Sequence, residues 1–353
     1  MKTFKHLYTQ ITAFENLYRA FRKAARSKRR KCDVAEFEYH LEENLLQLQS
    51  ELQNESYQPG GYRHFRIHDP KPRLISAAPF RDRVVHHALC QVIEPIFERR
   101  FIHDSYACRV GKGTHAALDR AQQFSRGSAY VLQCDIEHFF PSMDHQVLTN
   151  QLARVIADPQ TLSLCKKILD SGAGIHPESR EPLYFPGDDL FAGLRPRGLP
   201  IGNLTSQFWA NVYLNPLDQW IKRELKCPAY VRYVDDFLLF SNDKKELHSW
   251  RAAVIDFLVD LRLRLHEARA VVYPVKTGIP FLGFRVYPDH RRLKRRNGVN
   301  FQRRFAKLRQ QAAAGKITRQ RLQASVRGWI AHAEHGDTWG LRRALISKYI
   351  LYG

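Results

Sequence analysis

Two adjacent aspartates, Asp235 and Asp236, sit between the apolar runs Ala229-Tyr-Val-Arg-Tyr-Val234 and Phe237-Leu-Leu-Phe-Ser241. Two strand-like runs separated by acidic residues predict a hairpin over 229–241 with Asp-Asp as its turn. Turn aspartates are common, but arms this apolar would put two carboxylates at the tip of a rigid, buried ribbon. Adjacent carboxylates repel one another unless a cation lies between them. Mg²⁺ favours carboxylate oxygens and keeps positions open for water and phosphate. A third carboxylate lies upstream in Val131-Leu-Gln-Cys-Asp135-Ile-Glu-His-Phe-Phe140, which reads as a buried strand, Tyr130–Asp135, ending in aspartate. Alone it would be an ordinary strand end. Together, three carboxylates can hold two Mg²⁺ ions roughly 3.5–4 Å apart and clamp the attacking and leaving oxygens of an in-line phosphoryl displacement. Positioning and charge neutralisation carry most of that chemistry.

Between these motifs lies Gly198-Leu-Pro-Ile-Gly202-Asn-Leu-Thr-Ser206-Gln207. Its glycines allow close backbone approach to a ligand just before a helix; the plainer alternative is a loop and helix cap. Gly111-Lys-Gly-Thr114 lacks the GxxxxGK[ST] spacing of a phosphate-binding P-loop, and that reading is rejected.

Several elements must position these groups. Residues 1–56 read as helical, with a capping box at Asp33-Val-Ala-Glu36 and Phe37, Leu41, Leu45, Leu48 and Leu52 at helical spacing. Two basic extended runs, 62–67 and 73–76, predict a hairpin joined by Pro70-Lys71-Pro72. Helices are expected over 80–102, from Gly202 to about Leu225 with a disturbance at Pro216, and over 245–263. Short strands are expected at 270–274 and 281–287, and helix from about 300 with a break at Gly315-Lys316. Mixed strands and helices with a helical basic end give an α+β class: a palm-like antiparallel sheet with helical additions.

Charge narrows the partner. Lys and Arg total 56 against 35 acidic residues, a net +21. Residues 291–353 hold 16 basic and 2 acidic residues, and Arg19–Lys31 holds eight basic residues and no acid. Two such clusters around a balanced centre favour a nucleic acid, although one basic face alone could be a solvated helix. Phe301, Phe305, Trp329, Trp339 and Tyr349 could stack on bases, but most of them are expected to pack a core. The six cysteines form no CxxC unit, so they read as reduced thiols in a cytoplasmic chain. No run approaches the roughly 18 apolar residues of a spanning helix, and the first ten residues lack a signal peptide's apolar core.

The order strand-Asp, Gly-loop-helix, Tyr-Val-Asp-Asp hairpin resembles the palm of reverse transcriptases. Lys71-Pro-Arg73 with Arg81-Asp-Arg-Val-Val85, and Ser105-Tyr-Ala-Cys-Arg109-Val-Gly-Lys-Gly113, resemble the fingers of the bacterial enzymes. Phe281-Leu-Gly-Phe284 resembles their primer grip, and Ser325 to Trp339 their thumb. The likeness covers roughly 15–345 and implies a right-hand polymerase fold: a helical region at 1–60, fingers at 61–128, palm at 129–290 with a fingers-like insertion around 150–197, and a basic helical thumb at 291–353. The loop Ile201-Gly-Asn-Leu-Thr-Ser206-Gln207 ends in Ser-Gln, where intron and retron enzymes usually carry Ser-Pro. With Tyr106-Ala-Cys-Arg109 and the absence of a maturase or endonuclease segment after the thumb, this is similar to reverse transcriptases of diversity-generating retroelements.

The resemblance implies roles residue by residue. Asp135 and Asp235 ligate two Mg²⁺ ions (Mn²⁺ as a substitute), the Ile136 carbonyl completes a metal site, and Asp236 assists at the primer end. Phe140 lies under the nucleotide sugar and excludes a 2′-hydroxyl; a core aromatic is the alternative. Arg73 and Lys71 hold the triphosphate, and Ile201, Gly202 and Gln207 line the nucleotide site. Phe281, Leu282 and Gly283 grip the primer, and Arg295, Arg296, Arg303 and Arg304 contact nucleic acid. Accurate relatives often carry glutamine where this chain has Ile201, so the likeness implies copying that is error-prone opposite template adenines; simple loop packing is the alternative. A lysine expected near 265–269 is replaced by Arg269, a poorer proton donor. The implied partners are an RNA template, a DNA or RNA primer, dNTPs, a structured element RNA and a small basic accessory protein, with no membrane. The alternatives are a defence-associated or intron-like reverse transcriptase, or a catalytically silent RNA-binding scaffold.

Overall fold

The computed structural model describes residues 3–68 and 72–350, apart from the side chains of 346 and 348–350. Helices α1 (Tyr8–Thr12), α2 (Phe14–Ala25), α3 (Cys32–Tyr39) and α4 (Leu41–Gln53) build the first layer. The predicted capping box does not form. Asp33 falls inside α3, whose N-cap is Lys31, and its carboxylate instead meets Arg83 at 2.7 Å. The apolar spacing from Phe37 to Leu52 holds, but the backbone breaks at His40 and divides it between α3 and α4.

Strands β1 (Arg63–Ile67) and β2 (Arg73–Ala77) pair antiparallel with Ile67 opposite Arg73, and every residue of β1 is exposed. The predicted ribbon is present; Asp69, Pro70 and Lys71 of its turn lie outside the described residues. Next come α5 (Phe80–Glu98), α6 (Thr114–Arg126), β3 (Tyr130–Asp135), α7 (Phe139–Ser142), α8 (His145–Ala153) and α9 (Pro159–Asp170). They are followed by α10 (Leu204–Arg223, Pro216 inside it), β4 (Ala229–Tyr233), β5 (Asp236–Ser241), α11 (Lys244–Asp260) and β6 (Val271–Pro274).

Among the described residues, the strand order β4-β5-β3-β6 makes an antiparallel sheet. Alternate side chains of a strand point to opposite faces. Leu132, Cys134, Phe237 and Leu239 therefore enter the large core with α5, α8, α10 and α11. Val131, Val231, Leu238 and Phe240 enter a second core under α6. Both faces are covered, which is why these strands read as unbroken apolar runs.

The expected strand 281–287 is two strands: β7 (Ile279–Phe281) and β8 (Phe284–Val286) turn about Leu282-Gly283, and β9 (Arg291–Leu293) pairs with β8. Helices α12 (Arg295–Ala313), α13 (Arg319–Ala333) and α14 (Trp339–Ile350) follow, with Phe301, Phe305, Leu322, Val326 and Leu345 as their own small core. Trp329 stacks on Phe301 at 4.3 Å. The tail aromatics at 301, 305 and 329 are thus packing groups, whereas Trp339 is exposed beneath Arg343. The Tyr349 side chain lies outside the described residues. No helix among the described residues is long and apolar enough to cross a membrane.

Candidate active site

The three carboxylates meet at one end of the central sheet. Asp135, the last residue of β3, lies opposite Asp236, the first residue of β5, and Asp236 in turn lies opposite Tyr233 of β4. The two-residue turn is therefore Val234-Asp235 rather than Asp-Asp: Asp236 is held in the ladder and Asp235 stands at the tip. Val234 has φ +58°, costly for a β-branched residue, on the order of 1–3 kcal/mol.

A neighbouring buried charge restrains that turn. Arg232, fully buried, donates through Nη1 to the Val234 carbonyl at 3.0 Å. Its fork grips Asp218 of α10 with Nε–Oδ1 at 2.7 Å and Nη2–Oδ2 at 2.6 Å. Ser105 Oγ and Asn211 Oδ1 accept its remaining protons. Sequence reading passed over this arginine; its signal was a charge inside an otherwise apolar strand.

Burial lifts the Asp235 carboxyl to about 6, with the Asp135 charge adding and Arg73 and Arg232 opposing. Burial pushes Asp236 to about 7, reinforced by Asp135 and Asp235 and held back by a hydrogen bond from Gln133 and by Lys294. Oδ1 of Asp236 is buried without a hydrogen-bond partner among the described residues. An acidic oxygen left so, beside two further carboxylates, suits a hard divalent cation. No group of three His, Cys, Asp or Glu side chains among the described residues forms a ready cage. The donors fit an ion completed by substrate phosphates, as Mg²⁺ sites usually are.

The Ile136 carbonyl is well aimed for that set. Glu137 N–H donates to the Arg264 carbonyl and His266 N–H to the Asp135 carbonyl, which makes Ile136–Leu265 a non-hydrogen-bonded pair. The carbonyl of Ile136 therefore faces away from Leu265, toward the side of β3 occupied by β5.

The predicted nucleotide-binding residues converge only in part. Arg73 opens β2, exposed and close enough for its charge to act on Asp235. Ser76 N–H of the same strand donates to the Ile201 carbonyl at 3.0 Å. Gly202, at φ +119°, lies where a Cβ would meet Ile75 at 3.0 Å, so this glycine lets the loop dock on the ribbon. Leu199 N–H donates to the Phe140 carbonyl at 2.8 Å, joining the loop to the half-buried aromatic. Gln207 is exposed on the first turn of α10, and Lys71 is outside the described residues. Phe281 is fully buried in the second core. It packs beneath the Leu282-Gly283 turn, the part of the expected grip that lies outside that core's fully buried residues. Arg295, Arg296, Arg303 and Arg304 are exposed on α12, whose other side buries Phe301 and Phe305. A cleft of about 970 Å³ lies elsewhere, against α2 and α5, and Arg19, Arg22, Lys23 and Arg26 line it.

The family described as "Reverse transcriptase (RNA-dependent DNA polymerase)" matches residues 67–286, most of the chain. This chain belongs to the reverse transcriptase family. The region matched contains the three carboxylates, so this reverse transcriptase carries its RNA-directed DNA polymerase domain around them. It is 26% identical over 284 residues to Protein YkfC of Escherichia coli K12, covering 68% of this chain and 70% of that protein. It is also 26% identical over 212 residues to the group II intron-encoded protein LtrA of Lactococcus lactis subsp. cremoris, covering 59% of this chain but 33% of LtrA. Apo telomerase from Candida tropicalis superimposes with a TM-score of 0.49 and 11% identity, covering 67% of this chain and 49% of that one. The reverse transcriptase thus spans only part of several relatives. Its α+β architecture is that of a right-hand polymerase.

The raised carboxyls give a signed expectation. Asp235 and Asp236 hold protons more tightly folded than unfolded, so these two carboxyls contribute stability to the metal-free protein at low pH. That stability is lost as pH rises from about 4, the unfolded value, through about 7. Metal binding must expel those protons, so below pH 7 apparent Mn²⁺ affinity should fall about tenfold per pH unit for each proton displaced. Melting curves from pH 5 to 8, with and without Mn²⁺, check both: added metal should stabilise most at pH 8 and least at pH 5.

Proposed function

We propose that this chain is the polymerase of a diversity-generating retroelement, copying a structured element RNA into cDNA with errors opposite template adenine. The observation that carries the polymerase half is the register pair Asp135–Asp236 with Asp235 at the adjoining turn. Asp135, Asp235 and the Ile136 carbonyl would hold two Mg²⁺ ions, with Mn²⁺ as a substitute. When bound, these ions supply the Lewis acidity and charge neutralisation of phosphoryl transfer. Asp236 restrains the primer end, Arg73, with Lys71, orients the triphosphate through its planar fork, and the Phe140 ring excludes a ribose 2′-hydroxyl. Leu282 and Gly283 set the primer-grip turn.

We assign fingers, palm and thumb to 61–128, 129–290 and 291–353. The exposed arginines of α12 and the basic cleft on α2 would grip phosphates by charge and shape. A small basic accessory protein and a cytoplasmic setting complete the reading.

The retroelement half rests on Ile201. Its carbonyl is tied to Ser76, and its apolar side chain offers no donor or acceptor to an incoming nucleotide. Ile201→Gln is expected to lower misincorporation opposite adenine several-fold with little change in extension rate, measured by sequencing the cDNA. An unchanged error spectrum would reduce Ile201 to loop packing. A second reading, an intron-like enzyme, is favoured by the likeness to LtrA. Primer extension on a defined RNA template with Mg²⁺ and dNTPs, with Asp235→Ala as control, separates the readings. Errors concentrated opposite adenine support the retroelement; accurate cDNA supports the intron-like enzyme. No product even with element RNA and accessory protein present supports a silent RNA-binding scaffold.

A further inference from the structure

Asp135 carries a counter-charge from outside the carboxylate trio. Arg269 Nη1 lies 2.7 Å from Asp135 Oδ2. The backbone that delivers this arginine is pinned to the end of β3. His266 N–H donates to the Asp135 carbonyl at 2.8 Å, and Glu137 N–H donates to the Arg264 carbonyl at 2.9 Å. The tight turn Glu267–Arg269 then closes on itself, with the N–H groups of Arg269 and Ala270 both donating to the His266 carbonyl. Arg251 reaches over from α11 to the Ala270 carbonyl at 3.0 Å and the Glu267 carboxylate at 3.2 Å. The anchor is therefore fixed, while the Arg269 side chain is 54% exposed and its tip can swing into solvent.

We propose that Arg269 is a built-in, displaceable counter-ion that sets the divalent-ion concentration at which the site loads. The guanidinium holds Oδ2 of the carboxylate that a metal ion would need at roughly 2.0–2.1 Å. Two cations on one carboxylate repel in a half-buried setting, so they compete for it, and the arginine, exposed and on a flexible stem, is the one able to leave. Arginine keeps its proton throughout, so the exchange is purely one of position. While the site is metal-free, the ion pair offsets part of the Asp135 charge, a charge that still acts on both Asp235 and Asp236. The cost appears as weaker metal binding. The identity of the displacing ion rests on the polymerase reading; the competition for Asp135 does not.

The test is Mn²⁺ binding to the full chain without nucleotide, followed by loss of the free-ion electron paramagnetic resonance signal. Exposed ion pairs contribute modestly, so Arg269→Gln should bind Mn²⁺ roughly two- to fivefold more tightly than the parent, while Arg269→Lys, which keeps the charge, should stay near it. Asp135→Asn should lose most of the binding. The Mg²⁺ midpoint for primer extension should fall in Arg269→Gln by the same factor. Equal or weaker Mn²⁺ binding by Arg269→Gln, with an unchanged melting temperature, would overturn the counter-ion role. Persistence of primer extension in Asp235→Ala would overturn the polymerase reading and leave the Mn²⁺ comparison standing.

Discussion

Asp235→Ala should lower primer extension by at least about 10³-fold, equivalent to about 4 kcal/mol of transition-state stabilisation, while RNA binding persists. Asp235 stands at the turn tip, close enough to Asp135 for the two charges to interact. Removing it deletes a proposed ligand from a site that already lacks a closed cage among the described residues. The cations proposed to grip phosphate lie on other elements, α12 and α2, and are untouched. Stability should move the other way. Burial raises the Asp235 carboxyl to about 6, so keeping it ionised above that pH disfavours the folded state of the metal-free protein. Asp235→Ala should therefore melt at a higher temperature than the parent at pH 8 without divalent ions, with the difference shrinking toward pH 5. An inactive variant that is more stable is the signature of a site strained for function; an inactive variant that is less stable would point to a structural role.

Much of this site could be read in advance because its parts are local. The strand Tyr130–Asp135 and the helix after Gly202 follow from runs of residue types, and both fall where expected. Burial on both faces made the hairpin arms uniformly apolar, so β4 and β5 announced themselves. What escaped depends on contacts between distant segments. The turn shifted by one residue because Asp236 pairs with both Tyr233 and Asp135, a choice no local turn preference contains. Asp33 abandoned its capping role because α5 presents Arg83 to it. Phe281 looked like a contact residue within its motif, yet alternation in a short strand sends it into the core. Arg269 could be placed in sequence but not in function, since its pairing with Asp135 crosses from the turn after α11 to the end of β3.

The buried Arg232–Asp218 pair should give the second large effect. Both side chains are fully buried, and Tyr230 OH also donates to Asp218 at 2.7 Å. Arg232→Met strands a carboxylate in the core, a loss of about 3–5 kcal/mol for breaking one side of such a pair. Replacing both partners with apolar residues of similar size, Arg232→Met with Asp218→Leu, removes the stranded charge and should recover most of that stability, as measured by urea unfolding. Activity should not recover with it. The same guanidinium holds the Val234 carbonyl, and a valine at φ +58° keeps that conformation only while its surroundings impose it. Without that hydrogen bond the turn relaxes toward ordinary backbone angles and carries Asp235 away from Asp135. The double variant should therefore be well folded, bind RNA normally, and extend a primer at least about tenfold more slowly, with a raised Mg²⁺ midpoint. Recovery of both stability and extension in the double variant would make the pair a folding device alone. Recovery of stability alone would show that a buried charge is kept in this sheet because it aims the catalytic turn.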